Sequence, residues 1–148
     1  IQSPYLLPTE PILLALKTAA AAGVDVRIMI PEKSDSRMVH WGTMSYLQEL
    51  MEAGIKIYMY QKGFLHSKLI VCDDCLSSVG STNMDFRSFE HNFEINAFMY
   101  DKTSALMLKD IFLSDQKDAK LLHLKEWRMR PWSQKVKESV IRLFAPLL

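Results

Sequence analysis

The chain has 148 residues, a formal net charge of +1, and a composition that is 49% hydrophobic and 24% charged. That is the length and balance of one folded domain, not of a disordered segment. The near-zero charge gives no overall case for nucleic acid, and two cysteines are too few for a disulfide framework. No apolar run approaches the ~18–20 residues that cross a bilayer. The start, Ile1-Gln2-Ser3, has neither Met nor leader pattern, and a piece of something longer is expected.

In chain order, Ser3 to Leu7 reads as a strand entering a loop. Thr9 is placed to cap a helix, with Pro11 in its first turn, where a missing N–H costs nothing. Ile12, Leu13, Leu16 and Ala20 recur at helical spacing, and Gly23 suits the position just past the end. Val24, Val26, Ile28 and Ile30 alternate as a strand up to Pro31. A second helix carries Val39, Thr43, Tyr46, Leu47, Leu50 and Met51 on one face and ends at Gly54. Ile55, Ile57 and Met59 mark another strand. Residues 66–72, 76–81 and 93–99 read as three more strands, and Ala105, Leu108, Ile111 and Phe112 as a helix. This β-α-β-α-β opening predicts an α/β fold with a mixed, largely parallel sheet flanked by helices on both faces.

The total charge hides an asymmetry. Residues 1–119 carry a net −4 and residues 120–148 a net +5. We therefore divide the chain into a catalytic domain, 1–119, and a basic, Trp-containing helical tail, 120–148, broken near Pro131. The tail mixes Trp127, Trp132, Val136, Val140, Leu143 and Phe144 with Lys125, Arg128, Arg130, Lys135, Lys137 and Arg142. An anionic membrane surface attracts such a helix, and packing against the domain is the alternative.

The chemistry concentrates at His66-Ser67-Lys68-Leu69-Ile70-Val71-Cys72-Asp73. On a strand, His66 and Lys68 project to one side, as do Ser81 and Asn83 of Gly80-Ser81-Thr82-Asn83. If the two strands pair, imidazole, ammonium, hydroxyl and amide converge on one spot. Imidazole is a nucleophile or general acid/base near neutral pH, Lys is a point charge for phosphate oxygens, and Ser and Asn donors hold the rest. Taken singly, each pair is an ordinary solvated strand edge or turn. Arg87 is placed either to reach a phosphate or to pair with Glu90 or Asp85. Cys72 and Cys75 form a C-x2-C but lack two further zinc ligands nearby, and read as ordinary thiols.

His66, Lys68 and Asp73 match H-x-K-x4-D, and Gly80, Ser81 and Asn83 match G-S-x-N, so the chain resembles the phospholipase D superfamily. Gly23 to Arg27, Tyr58 to His66, Asn83 to Phe89, Asn92 to Phe98 and the Glu126-Trp127-Arg128 tail are similar to the C-terminal catalytic half of the bacterial cardiolipin synthase family. The resemblance implies two motif copies meeting at a pseudo-twofold interface. One His attacks the lipid phosphate to give a phosphatidyl-histidine. The other protonates the leaving alcohol and deprotonates the incoming one. Two phosphatidylglycerols give cardiolipin and glycerol, with no metal or cofactor. It also implies a catalytic role for His66, Lys68 and Asp73, phosphate binding at Ser81 and Asn83, and an acidic residue orienting a catalytic imidazole, which here falls on Glu94. Asp73 on a regular strand faces away from His66, so support of the fold or of the interface between halves is expected of it more than contact with substrate.

The sequence holds one such motif and no second. A half-site is expected to need a missing N-terminal half or a second copy of itself, with phosphatidylglycerol and an anionic membrane surface as its other partners. The full-length protein is expected at the bacterial inner membrane, and the fragment in solution. The competing reading is a single-motif dimeric nuclease of the same superfamily, and the −4 charge of residues 1–119 speaks against nucleic acid.

Overall fold

The structure, a computed structural model, describes residues 1–147, with Pro146 described by its backbone alone. Its elements are β1 (Leu6–Leu7), α1 (Glu10–Ala21), β2 (Arg27–Pro31), α2 (Arg37–Glu52), β3 (Lys56–Tyr60), β4 (Leu69–Cys72), β5 (Leu76–Gly80) and β6 (Met84–Asp85). There follow α3 (Phe86–Glu90), β7 (Asn96–Met99), α4 (Lys102–Gln116), β8 (Ala119–Leu121), α5 (Leu124–Arg128), α6 (Trp132–Arg142) and a closing 3-10 turn, Ala145–Leu147.

Helix boundaries fall where backbone chemistry puts them. Ser36 accepts the Val39 N–H at 3.5 Å and Asp101 the Ser104 N–H at 2.7 Å, each satisfying a donor left over at a helix start. Thr9 holds the N-cap of α1 by its extended backbone, but its side chain makes no cap bond. Gly23 and Gly54, at φ of 90° and 91°, take the left-handed position just past α1 and α2.

The sheet is mixed. β2 and β3 pair in parallel (Ile28 opposite Ile57), β8 runs antiparallel to β3 (Tyr58 opposite Leu121), and β4, β5 and β7 form an antiparallel set. Gln2 sits between the two groups, bridging Met29 in parallel and Leu69 antiparallel. A pair of short strands, β1 and β6, lies in parallel beside them. Antiparallel pairing thus takes a larger share than the sequence led us to expect. β4 and β5 are joined by three residues, which permits nothing but an antiparallel return.

The pleat of β2 and β3 sorts side chains to two faces. Ile28, Ile30, Ile57 and Met59 join Leu13 of α1 and Leu47 and Leu50 of α2 in the main core. Met29 and Tyr58 point to the opposite face, onto Phe112 of α4. Helices therefore cover both faces, as expected.

Boundaries differ from the sequence reading at several points. β2 begins at Arg27, not Val24, which is 52% exposed. The division at 119/120 falls inside β8: Ala119, Lys120 and Leu121 pair with Tyr60, Met59 and Tyr58, so the described tail residues start within the main sheet. Three residues are too few to show alternation.

Candidate active site

β4 begins only at Leu69, so His66, Ser67 and Lys68 form an extended entry to the strand, not its first turns. The entry is nevertheless fixed. Ser67 Oγ donates to Gln2 Oε1 at 2.9 Å, and Gln2 Nε2 donates to Asp115 Oδ2 at 2.8 Å. Leu65 is buried, and the Gly80 N–H donates to the Lys68 carbonyl at 3.3 Å. These contacts carry the hairpin register one step beyond β4 and set Lys68 beside Gly80. The His66 ring is exposed, 5.4 Å from the Phe64 ring, which lies 6.4 Å from that of Tyr5. Lys68 Nζ turns back to the His66 carbonyl at 2.9 Å. Partial burial holds the Lys68 ammonium below its usual range, against the pull of the nearby Glu94 and Asp85 carboxylates.

The opposite wall follows from Gly80. A Cβ there would overlap the Asn96 side chain and the Ile95 carbonyl and lie 2.7 Å from Asn96 Cα. Only glycine lets β7 come this close, and that approach brings Glu94 to Ser81. Ser81 Oγ donates to the Glu94 carboxylate and accepts the Ile95 N–H at 3.0 Å, while Asn92 Nδ2 donates to Glu94 at 3.2 Å. The Ser81 hydroxyl above all holds the Glu94 carboxyl below its ordinary range. Glu94 precedes β7 and does not lie within a strand, and its carboxylate is held by Ser81.

Asn83 is fixed by its backbone N–H, which donates to Ser88 Oγ at 3.2 Å, and its side-chain Oδ1 is buried without a partner. Arg87, on α3, is exposed, and among the described residues no carboxylate lies in ion-pair range of it. Beneath Lys68 a small cavity of about 110 Å³ is walled mainly by apolar groups, including Ile70, Met84, Phe89 and Phe98.

Two polar positions escaped the sequence reading. Asp85 is buried, caps α3 by accepting the Ser88 N–H at 2.7 Å, and acts electrostatically on Lys68. The Asp85-x-x-Ser88 spacing was its available signal. The Tyr5 hydroxyl donates to Asp35 at 2.8 Å, and its pKa is pushed up to about 12 by burial and then by that carboxylate.

The structure does not bring Asp73 to this site. With Asp74 it forms the centre of the β4–β5 turn, at φ of 49° and 56°, and the Cys75 N–H closes that turn on the Cys72 carbonyl at 3.1 Å. This is the left-handed pair that a tight hairpin demands, and Asp tolerates it. Five residues of extended chain, ~17 Å, separate Asp73 from Lys68. The structure thus places Asp73 in the turn at the far end of β4 from His66. Cys72 and Cys75 are both free and exposed, and burial raises the Cys72 thiol.

Comparison with known proteins now bears on this geometry. Residues 1–116 match the family described as cardiolipin synthase, PLD-like domain. The whole chain is 49% identical to cardiolipin synthase 1 of Staphylococcus epidermidis and 51% identical to the cardiolipin synthase of Geobacillus sp. (strain WCH70), covering 30% of each. The chain thus spans about a third of the length of these relatives. Among solved structures it is similar to phosphatidylserine synthase from Haemophilus influenzae, with a TM-score of 0.75 and 17% identity over 100% of this chain and 41% of that one. It is also similar to a phospholipase D family member, Nuc, from Salmonella typhimurium, with a TM-score of 0.70 and 21% identity over 82% and 79%. By its sequence match and by its fold, the chain belongs to the cardiolipin synthase PLD-like domain family.

Proposed function

We propose that the chain supplies one half-site of a phosphatidyltransferase that makes cardiolipin from two phosphatidylglycerols. In the first step an imidazole nitrogen bonds to phosphorus, the bond from phosphorus to the glycerol oxygen breaks, and a second imidazole gives that oxygen its proton. In the second step a hydroxyl of another phosphatidylglycerol gives a proton to the second imidazole and attacks phosphorus, and the phosphorus–nitrogen bond breaks. The enzyme returns unchanged, with cardiolipin and glycerol released. Lys68 balances the charge gathering on the phosphate oxygens, Asn83 offers hydrogen bonds to them, and Glu94, braced by Ser81, orients an imidazole. Arg87 is placed for a headgroup phosphate.

One observation carries the reading: His66 and Lys68 stand among exposed apolar side chains. Phe64, Phe89, Phe93, Ile95 and Phe98 are 42%, 37%, 107%, 80% and 61% exposed. A groove for nucleic acid would be basic, whereas a lipid phosphate arrives with acyl chains attached. The same apolar edge suits the missing N-terminal half or a second copy, which must deliver the other imidazole. We place the full-length protein at the bacterial inner membrane; no helix among the described residues is long and apolar enough to cross a membrane.

The test is to incubate the chain, alone and with the upstream half of the same protein, with phosphatidylglycerol vesicles and separately with plasmid. Cardiolipin is expected from the pair of halves, lost with His66→Ala, while a monomeric chain alone gives none. Nicked plasmid without cardiolipin, or full activity from a chain that sediments as a monomer, refutes the proposal.

A further inference from the structure

The last helix is built inside out. A surface helix of a globular protein normally turns its apolar stripe to the core. α6 lies on α2 and turns charge inward. Glu138 is 6% exposed and binds Arg130 at 2.6 Å. Arg142 reaches Glu49 at 2.8 Å and lies 4.2 Å over the Tyr46 ring. The apolar residues face out: Trp132, Val136, Val140 and Leu143, spaced four, four and three apart, are 78%, 37%, 49% and 79% exposed. The stripe runs on through Phe144 and Leu147, both exposed.

Two further facts say what covers it. Lys135 and Lys137 stand one residue to either side of Val136, about 100° away around the helix, and so border the stripe on both edges. Among the described residues neither meets a carboxylate: Lys135 Nζ donates to the Arg128 carbonyl at 2.6 Å, and Lys137 Nζ lies 5.9 Å from the Trp41 ring. The far end of the stripe leads to the active site, because the 3-10 turn packs on α3, the helix that follows Asn83.

We propose that the outward face of α6 is where the chain lies on an anionic lipid surface, with the helix axis in the membrane plane. Trp132 and Leu143 enter the acyl boundary, and Lys135 and Lys137 reach the headgroup phosphates. The choice of a lipid occupant rests in part on the lipid substrate proposed above. Charge favours it independently: a second copy would bring the same basic stripe, from a segment of net +5, against itself. The stripe then sets the mouth of the site at the depth where a phosphatidyl headgroup lies.

The test is sedimentation with phosphatidylcholine vesicles, with and without a quarter of phosphatidylglycerol. Each lysine close to an anionic surface multiplies partitioning about five-fold, so the two together predict roughly 25-fold tighter binding to the anionic vesicles. Val136→Glu with Val140→Glu is expected to abolish this binding while far-UV circular dichroism stays unchanged. Quenching of Trp132 emission by brominated lipid gives a readout that needs no variant. Equal binding by parent and variant overturns the proposal, as does a parent that ignores anionic vesicles, or a variant that only converts a dimer to a monomer. Vesicle binding by a chain that forms no cardiolipin even when paired with the upstream half removes the catalytic reading and leaves the docking surface standing.

Discussion

Replacing Glu138 by Ala tests how α6 is held. The Glu138 and Arg130 side chains are 8% and 12% exposed, and their charged atoms lie 2.6 Å apart. Breaking a buried ion pair by removing one partner costs about 3–5 kcal/mol, because the other charge stays behind in a poorly solvated place. Here the stranded guanidinium keeps the Trp127 carbonyl at 2.7 Å and the Trp127 ring at 3.9 Å, which offset part of that cost. The expected loss is therefore about 3 kcal/mol, near the low end of the range. For a domain of this size it lowers Tm by about 6–12 °C. Urea unfolding followed by circular dichroism measures it directly. Removing both charges together, as Arg130→Met with Glu138→Leu, is expected to restore most of the loss. A drop below ~1 kcal/mol for Glu138→Ala, the value of an exposed pair, refutes the account of α6 as a helix anchored through its polar side.

Three other outcomes follow from the geometry. Asp73→Gly keeps the left-handed turn and is expected to leave stability and phosphatidyl transfer unchanged, whereas Asp73→Val strains it by ~1–2 kcal/mol; thermal melts and the paired-half assay distinguish a turn residue from a catalytic one. Gly80→Ala forces β7 away from β5, so hydrogen exchange at Ala97 and Phe98 should rise and transfer should fall at least ~10-fold as Glu94 loses its place. Asp25 is held down to about 2, from 3.8, by hydrogen bonds from Arg27 and Lys56. Its contribution is thus complete above about pH 4 and disappears as pH falls toward 2. The carboxylate is half exposed, so Asp25→Asn should cost no more than ~1 kcal/mol at neutral pH and flatten the acid limb of the stability curve. Matching acid limbs for parent and variant contradict this.

Legibility in the sequence followed the range of the forces involved. Helices ended by Gly23 and Gly54, and strands alternating as in Ile28 and Ile30, are local decisions, and they were readable. The direction of β4, β5 and β7 was not, because pairing depends on partners far along the chain. The short β8 was hidden by its length. At the site, residue types and spacing pointed to His66, Lys68 and Asn83, and the family resemblance to Glu94. They could not show that Ser81 bonds to Glu94, since that contact exists only because Gly80 admits β7. Asp73 shows the complementary limit: the spelling of a motif does not say which of its letters serve the fold and which the chemistry.

The Gln2 side chain has a consequence for motion. It occupies the seam of the sheet, and through Ser67 it holds the entry on which the reactive imidazole is mounted. Loops at reactive centres usually open at little cost, independently of the rest of the molecule. This one cannot swing away without pulling at the seam, so its amide protons should exchange nearly as slowly as those of the core. The His66 imidazole is accordingly set in place ahead of any ligand, and the transfer proposed above asks for no rearrangement of its own backbone.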